Sequence, residues 1–222
     1  MKGKIMHKPN NILESDVRDE LDWDPRFDNT RVIVSAKDGV VTLTGAVDTY
    51  YDSVMAGDDA WGIAGVVSVD NQLMVGLVGD DIADDDLVAA CLDALDRDRL
   101  VPSGVVSVTA VDGWVTLTGE VRHHYQRQAA NFAVSRVSGV VGVTNDIALT
   151  KDAMPGDVVD RINKAFARDA IIDDSRITVS TTGNTVYLDG LVDSWYAMDD
   201  AVDTAWGAPG VLDVVNRLAI AA

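Results

Sequence analysis

The residues that could do chemistry are few and scattered. His123 and His124 are adjacent, Cys91 is the single cysteine, and an acidic stretch runs G-D-D-I-A-D-D-D-L over 79–87. Neighbouring side chains on a helix point in different directions, so His123 and His124 do not form a pair. No further Cys or His completes a metal set with them. The acidic stretch lacks the D-x-D-x-D-G spacing and closing Glu of a calcium loop. It reads as a solvated linker that places negative charge at the start of a helix. No G-x-S-x-G, phosphate-binding loop or Cys-His nucleophile arrangement occurs. The expectation is a chain without catalytic residues, cofactor or metal site.

The remaining chemistry is that of recognition. Aromatic residues come as Tyr50-Tyr51, His124-Tyr125 and Trp195-Tyr196, and as A-W-G at 60–62 and 205–207. Paired aromatics suit an interface that is apolar on one side and wet on the other. Trp61, Trp206, Tyr50, Tyr51, Trp195 and Tyr196 are therefore the candidate interaction surface. Packing within or between modules is the plainer reading for each.

Charge restricts the partners. The 222 residues carry 18 Lys and Arg against 36 Asp and Glu, a net charge of −18. All the acidic residues are aspartates except Glu14, Glu20 and Glu120. Nucleic-acid binding needs a basic footprint, and attraction to anionic lipid needs Lys and Arg clusters. Neither is present. No run approaches a transmembrane helix, and the basic start lacks the apolar core of a signal peptide. The expected compartment is the cytoplasm, or the periplasm if a leader has been removed.

These residues are positioned by a threefold repeat. Anchor glycines Gly45, Gly119 and Gly190 sit in V-V-T-L-T-G-A-V, W-V-T-L-T-G-E-V and T-V-Y-L-D-G-L-V. A tyrosine follows each at the same distance (Tyr51, Tyr125, Tyr196). Farther on come a second glycine (Gly65, Gly139, Gly210) and an asparagine (Asn71, Asn145, Asn216). Such self-similarity marks tandem modules, here 12–76, 84–150 and 156–222.

Each module reads as helix–strand–strand–helix–strand. Leu13, Val17, Leu21, with their counterparts Leu87, Cys91, Leu95 and Val158, Ile162, Phe166, line one helix face. Cys91 is thus read as a small core residue. Alternating runs joined by D-G or G-N turns give a hairpin. Thr49 and Ser194 are expected N-caps of a second helix, whose stripe is Ala56, Ala60, Ile63; Ala130, Val134, Val137; and Ala201, Ala205, Ala208. Gly65, Gly139 and Gly210 are expected at the left-handed position that ends that helix. The last strand is expected over 66–75, 140–149 and 211–220. Its asparagine shares the parity of the apolar residues, so its amide is expected to be buried and to tie down a nearby loop or turn. The anchor glycines are expected where a side chain would block a turn or a close approach. The fold class is α+β, as three two-layer modules with a three-stranded sheet in each.

D-G-V-V-T-L-T-G-A-V (38–47) with G-V-V-S-V-D-N-Q-L (65–73), and D-G-W-V-T-L-T-G-E-V (112–121) with G-V-V-G-V-T-N-D-I (139–147), resemble the BON domain, named for bacterial OsmY and nodulation proteins. G-V-L-D-V-V-N-R-L (210–218) extends the resemblance to the third module. It implies a non-enzymatic bacterial protein of osmotic or envelope stress that contacts phospholipid, other envelope components or client proteins in a chaperone-like way. For some cytosolic members it implies potassium binding, so a monovalent cation is a second candidate ligand. The outer modules share A-W-G, while the middle one alone carries His123-His124 and Cys91. The expectation is a central spacer between two similar contact modules.

Overall fold

Each anchor glycine holds together the first two strands of its module. In the computed structural model, which describes residues 8–26, 28–76, 82–152 and 154–221, Gly45, Gly119 and Gly190 have φ of +114°, +141° and +138°. A Cβ there would run into the backbone carbonyl of Arg31, Val105 or Arg176. Only glycine combines that dihedral with that approach.

The elements follow the sequence pattern. Module 1 is α1 (Asn10–Trp23), β1 (Val32–Lys37), β2 (Val40–Val47), α2 (Tyr50–Trp61) and β3 (Ser68–Val75). Module 2 is α3 (Asp84–Arg97), β4 (Val106–Val111), β5 (Trp114–Val121), α4 (His124–Ser135) and β6 (Gly142–Leu149). Module 3 is α5 (Val158–Phe166), a 3-10 turn (Asp174–Arg176), β7 (Ile177–Thr182), β8 (Thr185–Val192), α6 (Trp195–Trp206) and β9 (Asp213–Ile220). The sheet orders are β1-β2-β3, β4-β5-β6 and β7-β8-β9. β1 and β7 pair antiparallel with β2 and β8, which pair parallel with β3 and β9.

Both helices of a module cover one sheet face. Leu13, Val17 and Leu21 meet Val34, Val41, Leu43, Ala56 and Ala60 in the first core. Val158, Ile162 and Phe166 meet Val179, Val186, Leu188, Ala201 and Ala205 in the third. Leu87, Cys91 and Leu95 are buried at the matching positions of module 2. Burial pushes the Cys91 thiol up to about 11, so it carries no thiolate at neutral pH.

One clasp recurs at the hairpin turn. The Asn10 carboxamide oxygen at the head of α1 accepts from Asp38 N at 3.0 Å. The Asp84 carboxylate at the head of α3 accepts from Asp112 N and Gly113 N at 3.1 and 3.2 Å. The turn carbonyls of Gly39, Gly113 and Asn184 accept from Val67, Val141 and Leu212, just before each last strand. Asp84 belongs to the acidic 79–87 stretch, whose residues 79–81 lie outside the described residues.

The structure corrects three expectations. Gly65, Gly139 and Gly210 have positive φ (+100°, +93°, +79°) but do not end the second helix. The helices stop at Trp61, Ser135 and Trp206, and the glycines come four residues later in a separate turn. That turn is closed by Val66 N to Ile63 O, Val140 N to Val137 O and Val211 N to Ala208 O. Glycine at its third position fits a type II turn, and Ala208-Pro209-Gly210 adds the favoured proline before it. Ile63, Val137 and Ala208 consequently lie beyond the helix. The last strands begin at Ser68, Gly142 and Asp213, two residues later than expected, because the preceding amides are spent on the two turns. The recurring asparagines are not buried: Asn71 and Asn216 are exposed and Asn145 half-buried, because the last strand is an edge strand.

Described residues up to Val121, with Gln126–Ala148, form one compact unit. Arg122–Tyr125 belong with the residues from Leu149 onward in a second.

Candidate interaction surface

The second helix of module 1 begins in a capping box. Asp52 N donates to Thr49 Oγ1 at 3.2 Å, and Thr49 N donates back to Asp52 Oδ2 at 2.9 Å. This fixes the first turn, and with it Tyr50 and Tyr51, both half-buried. Tyr51 and Phe132 of α4 form a T-shaped ring pair at 6.3 Å between centroids and 72°. The Arg136 guanidinium stands 4.4 Å above the same ring. Tyr51 is thus part of a contact between α2 and α4.

In module 3 the Ser194 hydroxyl caps α6 by accepting from Ala197 N at 3.1 Å. Trp195 and Tyr196 pack edge to face at 5.4 Å, with Tyr196 exposed. At the other end of α6, Trp206 packs against the module's own core and stacks on His124 at 4.0 Å and 5°. Trp61, its counterpart in module 1, is half-buried. The two histidines part company: His124 lies on Trp206, and His123 stacks on Tyr125 at 5.4 Å.

The asparagines tie the edge strand to the second helix. Asn71 Nδ2 donates to Ser53 O at 2.7 Å, and its Oδ1 accepts from Leu73 N at 3.1 Å. Asn145 repeats this with Arg127 O at 2.9 Å and Ile147 N at 3.3 Å. Asn216 keeps only the local half, accepting from Leu218 N at 2.9 Å.

A group that sequence reasoning missed lies where α1 ends. Asp24 and Asp59 share the Arg26 guanidinium, whose Nη2 is 2.7 Å from Asp24 Oδ2 and 3.2 Å from Asp59 Oδ1. Their side chains are only 9% and 12% exposed, and Asp59 Oδ2 is buried without a hydrogen-bond partner. Burial, followed by the neighbouring Asp24 carboxylate, pushes Asp59 up to about 7 against the opposing pull of Arg26. Burial also pushes Asp24 upward, but hydrogen bonds from the Arg26 amide and guanidinium outweigh it and hold Asp24 below the usual carboxylate range. In module 3, Asp200 is likewise raised by burial and then by Asp169.

A signal for part of this group was present. Asp24, Asp98 and Asp169 each stand 21 residues before their anchor glycine. Each accepts from the amide two residues on, at 2.9, 2.8 and 2.7 Å. Asp59 has no such signal, since Ala133 and Thr204 occupy its place in the other modules.

Among the described residues, no three His, Cys, Asp or Glu side chains converge to hold a metal ion, and no helix is long and apolar enough to cross a membrane. The grooves between first helix and first strand are small, one lined by Leu92, Leu95, Val101 and Val106 and another by Arg18, Leu21, Asn29 and Val34. The described residues thus form an array of three modules of one design.

The family of that array is identified by comparison. A model of the BON domain matches residues 9–76, 83–151 and 156–222, and the chain belongs to the BON-domain family. It is similar to Osmotically-inducible protein Y of Escherichia coli (strain K12), at 33% identity over 128 residues. That match covers 54% of this chain and 62% of the relative, so it spans less than two thirds of the relative's length. Structures of CdsD, a structural protein of the Type III secretion system of Chlamydia trachomatis, align over 95% of this chain and 93% or 98% of theirs. Identity is 16% and the TM-score 0.26, too low to bear on fold or function.

Proposed function

We propose that this chain is a non-enzymatic, osmotic-stress-associated binding protein that holds client polypeptides of the cell envelope on the surfaces of its BON domains. Kinship with Osmotically-inducible protein Y carries the reading. Large apolar side chains exposed on all three modules, among them Trp23, Ile33 and Met74, Val111, and Ile171, are available to such a client. Phospholipid is the other envelope partner, and the net charge of −18 disfavours its anionic forms.

The test has two arms. Suppression of aggregation is measured with a heat-denatured client at low and high osmolarity, and flotation is measured with zwitterionic and anionic vesicles. Client protection without flotation is the expected result. Flotation alone moves the partner to lipid, and silence in both overturns the reading.

A second reading, cation response, is favoured by crowding on α6. Asp199 is raised by burial and by its neighbours Asp203 and Asp200, and a bound cation would relieve that repulsion. Melting in potassium, sodium and calcium at matched ionic strength decides it, because a ligand of the folded state raises the midpoint selectively. Equal midpoints remove the cation.

A further inference from the structure

Trp23 closes α1 and, at 83%, is the most exposed large apolar residue among the described residues. Asp19 and Glu20, one turn before it on the same helix face, line a groove with it that runs past Asp16 to Ile63 and Ala64 beyond α2. One end of this groove already seats a cation. The Lys8 stem lies on the bare backbone of Gly65, where an added Cβ would stand 3.2 Å from Lys8 Cβ. Its ammonium pairs with Asp16 and donates to Ala64 O at 3.4 Å. Trp23 lies about 10 Å along the helix from Asp16. At that end the Asp19 and Glu20 carboxylates have no ion-pair or hydrogen-bond partner among the described residues.

The sister modules carry the cation that is missing here. Two residues beyond Leu21, Leu95 and Phe166 stand Trp23, Arg97 and Arg168, and two residues before them stand Asp19, Asp93 and Lys164. In module 2 the Arg97 guanidinium reaches back to the Asp93 carboxylate at 3.0 Å. In module 1 a tryptophan replaces that arginine, and Asp19 is left without its cation. Of the three first helices, only α1 has no basic residue in its last turn, where α3 has Arg97 and α5 has Lys164. A cation there would also meet the negative end of the helix dipole. The other cations nearby are engaged or turned away. Arg26 is held between Asp24 and Asp59, and Arg18 lines the separate groove on the β1 side of α1.

These groups select the occupant. An anionic ligand would meet unpaired carboxylates, and a purely apolar one would strip them of water without replacing it. A metal ion would find no three carboxylates that converge among the described residues. A choline headgroup suits the ring, but it has no N–H for the carboxylates and brings its phosphate with it. A guanidinium answers both features, because its plane stacks on an indole while its N–H groups face outward to carboxylates. We propose that the Trp23 end of α1 is a seat for an arginine side chain of a client polypeptide, with the guanidinium on the Trp23 ring and Asp19 and Glu20 beside it.

The seat rests on the client-binding reading for the nature of its partner, and the two fail separately. The full chain is titrated with a short Gly-Ser peptide bearing three arginines, and with versions carrying lysine, citrulline or aspartate in their place. The Trp23 indole N–H and the backbone amides of α1 are followed by NMR. The expected result is a saturating shift with arginine, a weaker one with lysine, and none with aspartate or citrulline, the neutral isostere. Raising salt from about 20 to about 200 mM should weaken binding several-fold. W23A and D19N/E20Q, with melting curves to confirm folding, should bind at least about fivefold more weakly. W23R, which puts the sister modules' arginine beside Asp19, should not bind. No shift with arginine at about 10 mM, equal affinity for citrulline, or equal binding by W23A overturns the seat. So does a response to phosphatidylcholine vesicles without one to arginine. A shift at Trp23 that grows with protein concentration alone and is lost in K164E/R168E makes the occupant a second copy, and overturns it too. Arginine binding without client protection leaves the seat standing and sinks the client reading, and protection without an arginine response does the reverse.

Discussion

Asp59 gives one carboxylate oxygen to Arg26 at 3.2 Å and keeps the other buried and unpartnered. An ionised carboxylate so placed is poorly compensated, whereas a protonated one has a hydrogen to offer to the adjacent Asp24. The Asp59 carboxyl carbon should therefore titrate near pH 7 in NMR, with Asp24 below the usual range. Because its folded value is raised, folded Asp59 keeps a proton that the unfolded chain releases above about pH 4. Its contribution is complete below that pH and is lost as pH rises through about 7. D59N should match the parent's melting midpoint at pH 5 and exceed it by a few degrees at pH 8. A midpoint gap independent of pH would contradict this.

G119A should be the most damaging small substitution in module 2. The new methyl would collide with Val105 O at φ +141°, so the Val106–Gly119 pairing must break or shift. A loss of about 3 kcal/mol or more in urea titrations is expected, at the upper end for single substitutions. Gly156, with nothing within 4 Å of an added Cβ and no positive φ, supplies the control. G156A should stay within about 0.5 kcal/mol of the parent.

The asparagine ties should rank by the bonds they make. N71A removes the bond to Ser53 O as well as the bond from Leu73 N, whereas N216A loses only that from Leu218 N. Losses of about 1–2 kcal/mol and about 0.5–1 kcal/mol are expected from chemical denaturation. Equal losses would mean that the helix tie contributes nothing.

The Tyr51–Arg136 contact is open to a double-mutant cycle. With the guanidinium 4.4 Å above the ring of a half-buried tyrosine, Y51A and R136A should show a coupling of about 0.5–1 kcal/mol. Additivity of the two would show that the rings and charge are merely neighbours.

The fold was legible because every level of the sequence agreed on it: helix-period stripes such as Leu13, Val17, Leu21, alternation such as Val41, Leu43, and turns at Asp38-Gly39 and Asp112-Gly113. Boundaries near Gly65 were misplaced because a type II turn and a helix-ending motif both call for glycine with positive φ. Repetition drew attention to what the modules share, so features held by one module escaped. Trp114 stands over Gly142 only in module 2, and the repeat does not mark it. Asp59 meets Arg26 only once the end of α1 is folded against it, and the repeat does not mark it either.

In modules 1 and 2 the clasp at the hairpin turn gathers three stretches that are far apart in sequence, namely the head of the first helix, the turn, and the entry to the last strand, and in module 3 it joins the turn, the entry to the last strand and the segment before the first helix. In modules 1 and 2 a side chain at the head of the first helix reaches the turn amides, and in module 3 Asn184 of the turn itself reaches back to Asp152 O at 3.0 Å and Gly210 O at 2.6 Å. Every copy is in this way fastened at its hairpin turn. The outer sheet face takes no part in this fastening, so Trp114 can stand in one copy where Val40 and Thr185 stand in the others while the turn stays closed in all three.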